Sequence, residues 1–148
     1  AEGRRHGMAK IKLAEAETIA EGTLKHAAKI GASPLTVVVL DDGGHPVLLK
    51  RQDNSGILRH DVALGKAWGA LGMGRPSREL EQLAIDRPYF MDSVVAASSG
   101  RVVPVKGGVL VANADGDVIG AVGISGDTSE VDEACAAAGI AAAGFTMI

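Results

Sequence analysis

Apolar residues recur at helical spacing over residues 13–30, at Leu13, Ala16, Ile19, Ala20, Leu24, Ala27 and Ile30, while Glu15, Glu17, Glu21 and Lys25 take the other faces. This predicts an amphipathic helix. Gly31 and Pro34 stop it, since glycine accepts a left-handed cap and proline cannot extend the hydrogen-bond ladder. Residues 36–40 are β-branched and apolar without alternation, the pattern of a strand covered on both faces. Asp42, Gly43 and Gly44 then favour a tight turn into a second strand over residues 46–51. Helical spacing returns over residues 57–71, with Gly65, Gly69 and Gly72 at intervals of four and three. Each glycine costs about 1 kcal/mol of helix propensity against alanine, so another element or a ligand is expected to lie close against that face.

Pro76 and Ser77 open a short helix over residues 77–85, and residues 86–100, with Pro88 inside, read as a long connection. The chain passes Gly107-Gly108 into a strand over residues 109–113. Asp115-Gly116 signals a hairpin to a strand over residues 118–124, and a helix rich in alanine follows over residues 128–144. Two hairpins imply antiparallel pairing, so the expected class is α+β, with an N-terminal and a C-terminal helix flanking the sheet.

The chain has 148 residues and a formal charge of −3, with 47% apolar but only 3% aromatic residues. One domain over residues 9–148 fits that length. Residues 1–8, polar and ending at Met8, read as a tag or disordered tail. Low aromatic content and the lack of cationic excess argue against nucleic-acid binding. No apolar run approaches a membrane span, and the single cysteine, Cys135, forms no internal disulfide, which favours a reducing, cytoplasmic setting.

Gly120, Gly123 and Gly126 lead from a strand into the last helix, but their spacing fits neither a dinucleotide fingerprint nor a P-loop. Asp127, Glu130, Asp132 and Glu133 at that helix start would repel phosphate, and Asp127 or Thr128 is suited to cap the helix. Ser125 matches a nucleophile elbow only in part, because Asp127 stands where its second glycine is needed. The four histidines, His6, His26, His45 and His60, show no metal-binding spacing. His45 at a hairpin tip and His60 beside Asp61 are the stronger candidates for axial or acid–base contacts, and His26, inside the first helix, is the weaker. Arg51 and Asp53 close the second strand, and Lys66 is an isolated cation among small residues. Arg51 and Lys66 together would suit a carboxylate ligand.

The run Thr36-Val-Val-Val-Leu-Asp-Asp-Gly-Gly-His-Pro-Val, then Arg51 and Asp53, Ala63 through Lys66-Ala67, Gly107-Gly108-Val, and Gly120-Ala-Val-Gly-Ile-Ser-Gly-Asp with Asp132-Glu133, resembles the GlcG/HbpS family. This is also called the haem-degrading domain family and includes the C-terminal domain of PduO-type proteins. The resemblance covers about residues 10–145. It implies a profilin-like α+β sandwich, a five-stranded antiparallel sheet flanked by helices, and assembly into dimers or octamers. Some members bind haem or take part in redox sensing or iron release; others accompany glycolate or other small-acid catabolism. Leu110 stands where many relatives carry proline.

The leading expectation is a homo-oligomeric protein binding a small ligand, haem or a related tetrapyrrole, near the subunit interface. Its pocket would be bordered by Gly107, Gly108, Gly126 and Asp127. Arg51, with Asp53 beside it, and Lys66 would hold carboxylates or propionates, and His45 or His60 would touch the ligand. The alternatives are an enzyme acting on a small hydroxy or keto acid, and a purely structural or regulatory oligomer.

Overall fold

Strands without alternation need cover on both faces, and the computed structural model, which describes residues 10–148, supplies it. The tail expected over residues 1–8, with His6, lies outside the described residues. Helix α1 (Leu13–Ile30) leads to β1 (Thr36–Asp41) and β2 (Pro46–Arg51). Helices α2 (Arg59–Met73), α3 (Ser77–Asp86) and α4 (Pro88–Ala97) follow. The chain then forms β3 (Gly108–Ala112), β4 (Val118–Ser125), α5 (Ser129–Ala142) and β5 (Thr146–Met147). The five strands make one antiparallel sheet in the order β2-β1-β4-β3-β5, the α+β architecture anticipated.

Strand periodicity divides β1 between two cores. Val37 and Val39, opposite Ile124 and Val122, pack against Ala16, Ile19 and Ala20 of α1 and Cys135, Ala136 and Ile140 of α5. Val38 and Leu40 point the other way, where Ala63, Ala67 and Ala70 of α2 cover them. Helices α3 and α4 close a smaller cluster of Leu80, Met91 and Val102.

Small residues set the two helix–sheet distances. Gly108 and Gly123 are direct cross-strand partners. A Cβ on Gly108 would run into the Lys66 carbonyl, and one on Gly123 into the Ala63 carbonyl. The α2 backbone therefore lies on a patch of sheet without side chains. Across the sheet, Gly22 and Gly139 let α1 and α5 cross closely: a Cβ on Gly22 would stand 2.8 Å from that of Ala142. The glycines within α2 also serve packing in part. Gly65 and Gly69 receive the segment carrying Val102 and Val103, whereas Gly72 meets only the edge of Trp68.

Two elements differ from the expectation. The connection expected over residues 86–100 contains α4, with Pro88 in its first turn, where a proline costs no helical hydrogen bond and presets φ. Strand β5 is two residues long and pairs with Val111 and Ala112; its pairing depends on tertiary contact and leaves no periodic trace.

The glycine seat gives a direct test. Gly123→Ala should destabilise the protein by about 1–3 kcal/mol, the usual cost of overpacking, as a lowered denaturant midpoint; an unchanged midpoint would show that α2 does not rest on this position.

Candidate functional site

Lys66 projects from α2 towards the end of β4 and is 2% exposed. Its Nζ donates to the Ile124 carbonyl at 2.8 Å and to Asp132 Oδ2 at 3.2 Å. Asp132, in the first turn of α5 and 1% exposed, accepts on Oδ1 from the Asp127 backbone N–H at 3.0 Å. Burial pulls the Lys66 ammonium below its ordinary pKa, with Asp132 opposing that shift. Burial likewise pushes the Asp132 carboxyl up, with Lys66 opposing. Gly107 exists beside this pair because a Cβ there would stand 2.8 Å from Lys66 Nζ. Lys66, Gly107 and the Asp127 backbone thus meet at Asp132 as a filled and charge-matched joint, whereas Gly108 lies against the Lys66 backbone and Gly126 against Pro34 and Leu35.

Asp127 finishes that joint. Its carboxylate accepts from the Ser33 N–H at 2.8 Å and the Thr128 N–H at 2.7 Å, and those two bonds hold its pKa below the ordinary value. Thr128 caps α5 through the Val131 N–H. The α1–β1 loop is thereby fastened to the start of α5.

Arg51 is not beside Lys66. It lines a separate cavity of about 470 Å³ with Asp53, Gln52, Pro34 and Ala32. The shared cavity expected for Arg51 and Lys66 is corrected here: the Lys66 charge is already spent on Asp132 and shut away from solvent. What accompanies Arg51 is a polar row. Arg51, Thr36 and Ser125 are cross-strand partners on β2, β1 and β4, so they share the α2 face. Thr36 and Ser125 are fully buried, and Thr36 Oγ1 lies 2.8 Å from Ser55 Oγ. Arg59, at the start of α2, donates to Ser125 Oγ at 3.4 Å, and Arg51 donates to the Ser55 carbonyl at 3.5 Å. Sequence reasoning missed Arg59, whose proximity follows from the α2 crossing alone.

The histidines separate clearly. His45 has a 78% exposed side chain at its hairpin tip, with Nδ1 3.2 Å from Asp41 Oδ1. His60 is half-exposed beside Asp61. His26, with Gly22, Lys25, Ala28, Lys29 and Ala142, lines a mostly apolar groove of about 600 Å³ where α1 crosses α5. The available signal was spacing, since Gly22, His26 and Lys29 fall on one face of α1 at i−4, i and i+3. Among the described residues no group of three or more His, Cys, Asp or Glu side chains is placed to hold a metal ion, and no helix is long and apolar enough to cross a membrane.

One antiparallel sheet with helices on both faces defines an α+β class. Within that class the chain belongs to the family described as haem-degrading protein HbpS-like, whose profile matches residues 11–141. The chain is 32% identical over 125 residues to an uncharacterised 15.0 kDa protein from the dhaT-dhaS intergenic region of Citrobacter freundii, covering 84% of this chain and 86% of that one. It resembles the PduOC structure solved as a haem complex, with a TM-score of 0.83, 25% identity, and coverage of 93% and 97% of the two chains. It also resembles Streptomyces reticuli HbpS, solved as a double mutant, with a TM-score of 0.76, 26% identity, and coverage of 89% and 86%.

Two outcomes check the joint. Lys66→Met should cost about 3–5 kcal/mol, because it leaves Asp132 buried and unpaired, while Lys66→Met combined with Asp132→Leu should recover most of that loss; equal losses in urea denaturation would contradict the pairing. A carboxyl held below its unfolded pKa stabilises the fold above the unfolded value and loses that contribution as pH falls through the native value. The stability advantage of the wild type over Asp127→Asn should therefore be full above about pH 4 and fade below it; an advantage independent of pH would exclude this role.

Proposed function

We propose that the protein binds haem in the groove between α1 and α5, where His26 would hold the iron. The observation carrying this reading is the grouping of one imidazole, two cations and an apolar floor in a single recess. A neutral imidazole nitrogen is a standard iron ligand. His26 is half-buried, so its side chain is partly accessible from the groove. Lys25 and Lys29 flank it and carry point charges suited to propionates. Gly22, Ala28 and Ala142 leave the floor flat enough for a macrocycle. When bound, haem would supply redox-active iron, while His26 would supply the ligand nitrogen and Lys25 and Lys29 the propionate contacts.

The groove is open on one side, and a second copy of the chain laid over it would bury the exposed edge of the ligand. This supports a homo-oligomer with its ligand near the subunit interface. The family membership and the haem-bound structural relative support the ligand class, and the lone buried Cys135 fits a reducing cytoplasmic compartment. His45 and His60 become secondary candidates because each is exposed beside a carboxylate.

Hemin titration followed at the Soret band should give a saturable shift in the wild type, in His45→Ala and in His60→Ala, and should lose its imidazole-ligated spectrum in His26→Ala. An unaltered spectrum in His26→Ala would overturn the assignment.

A further inference from the structure

Gly65 and Gly69 of α2 receive neighbouring side chains, but Gly72 does not. A glycine inside a helix costs stability, yet a Cβ at Gly72 would meet only Trp68, at an ordinary 3.8 Å. The space beside it is a mostly apolar cavity of about 280 Å³ between α2 and α4, walled by Trp68, Met73, Val94 and Val102. Trp68, Met73 and Val94 form the rim of the cluster built on Leu80, Met91 and Val102, and the fold leaves them only partly covered.

Arg101 is the one charged side chain on this lining. Its guanidinium stacks over the Trp68 ring, 4.1 Å from the centroid, and its Nε donates to the Ser98 carbonyl at 2.9 Å. Those two contacts orient the fork. No ion pair among the described residues involves Arg101, so its terminal N–H groups are left to grip an anion. Asp61 lines only a separate recess of about 210 Å³ that shares Trp68 and Arg101, and the cavity beside Gly72 carries no acidic side chain.

The support of Arg101 is fixed. Ser99 and Gly100 both take left-handed backbone, at φ 57° and 78°, a conformation uncommon for serine. Ser98, 8% exposed, fastens this turn with its hydroxyl, which donates to the Val95 carbonyl at 2.9 Å and accepts from the Val102 N–H at 3.2 Å. That hydroxyl is therefore engaged on both sides, and the walls reward apolar surface instead of further polar groups.

We infer that this cavity binds a small carboxylate with a compact apolar body, of the size of benzoate. The body lies against Trp68, Met73, Val94 and Val102, and the carboxylate sits on the Arg101 fork. The site belongs to the α2 face, apart from the haem groove, and no reaction is assigned to it.

Titration of the haem-free protein, followed by the fluorescence of Trp68, its sole tryptophan, tests the assignment; a hemin result of either sign leaves this test intact. Benzoate should give a saturable change in the millimolar range or tighter. Benzyl alcohol should bind more weakly, and benzylamine, acetate and lactate more weakly still. Arg101→Gln should weaken benzoate by about tenfold or more, as expected for losing a charge-assisted hydrogen bond, and leave benzyl alcohol nearly unchanged. Should that variant fail to fold, Arg101→Lys keeps the charge without the fork and should still weaken benzoate. Gly72→Leu, whose side chain enters the cavity from a helical backbone, should abolish the benzoate response without altering the size of the assembly in size-exclusion chromatography. No saturable benzoate response, lactate or acetate binding as tightly as benzoate, or benzoate affinity unchanged by the Arg101 variants would overturn the proposal. So would a changed assembly in Gly72→Leu, because the cavity would then be filled by a second copy of the chain.

Discussion

The contact on which the rest depends is the seating of α2 on the side-chain-free patch of β3 and β4. Gly108 and Gly123 bring the helix backbone against the sheet, and that proximity carries Lys66 down to Asp132 and the Ile124 carbonyl. A buried ion pair is a modest source of net stability, but it is severe about its partner once formed. Here it fixes the start of α5 relative to α2 through the whole thickness of the sheet. The hydrogen bonds of Asp127 extend the same joint to the loop after α1.

With the sheet clamped in this way, its two faces carry different surfaces. On one, α1 and α5 cross at Gly22 and Gly139 and leave a shallow apolar recess holding His26 between two lysines. On the other, the end of the sheet beyond the start of α2 exposes the Arg51 guanidinium, which donates to the Ser55 carbonyl, and the Arg59 guanidinium, which donates to the Ser125 hydroxyl. The cation that sits deepest, Lys66, is committed to the structure, and the cations available to a ligand are the ones at the edges.

Much of the fold is legible in the sequence because its elements are locally determined. The unbroken apolar run of β1, the Asp115-Gly116 turn and the alternating faces of α1 each state a geometry that the structure keeps. Helix α4 is obscured by Pro88, whose effect depends on whether it falls in a first turn or in a helix interior. Strand β5 is too short to have a pattern. The site is less legible for a more general reason. An isolated lysine among alanines and glycines reads as a ligand-binding cation, but its partner, Asp132, lies 66 residues away and is hidden in a cluster of acids at a helix start. Arg59 likewise gains meaning only from the crossing of α2 over the end of β4, and His26 only from the crossing of α5 over Gly22.

The central claim is that the haem-binding surface lies on the α1–α5 face and nowhere near the polar row. Amide chemical-shift mapping with diamagnetic zinc protoporphyrin tests it most directly. The account predicts perturbations clustered around Gly22, His26, Lys29 and Ala142, with Arg51, Ser55 and Arg59 unaffected. Perturbations centred on Arg51, His45 or His60, with the α1–α5 groove silent, would contradict it.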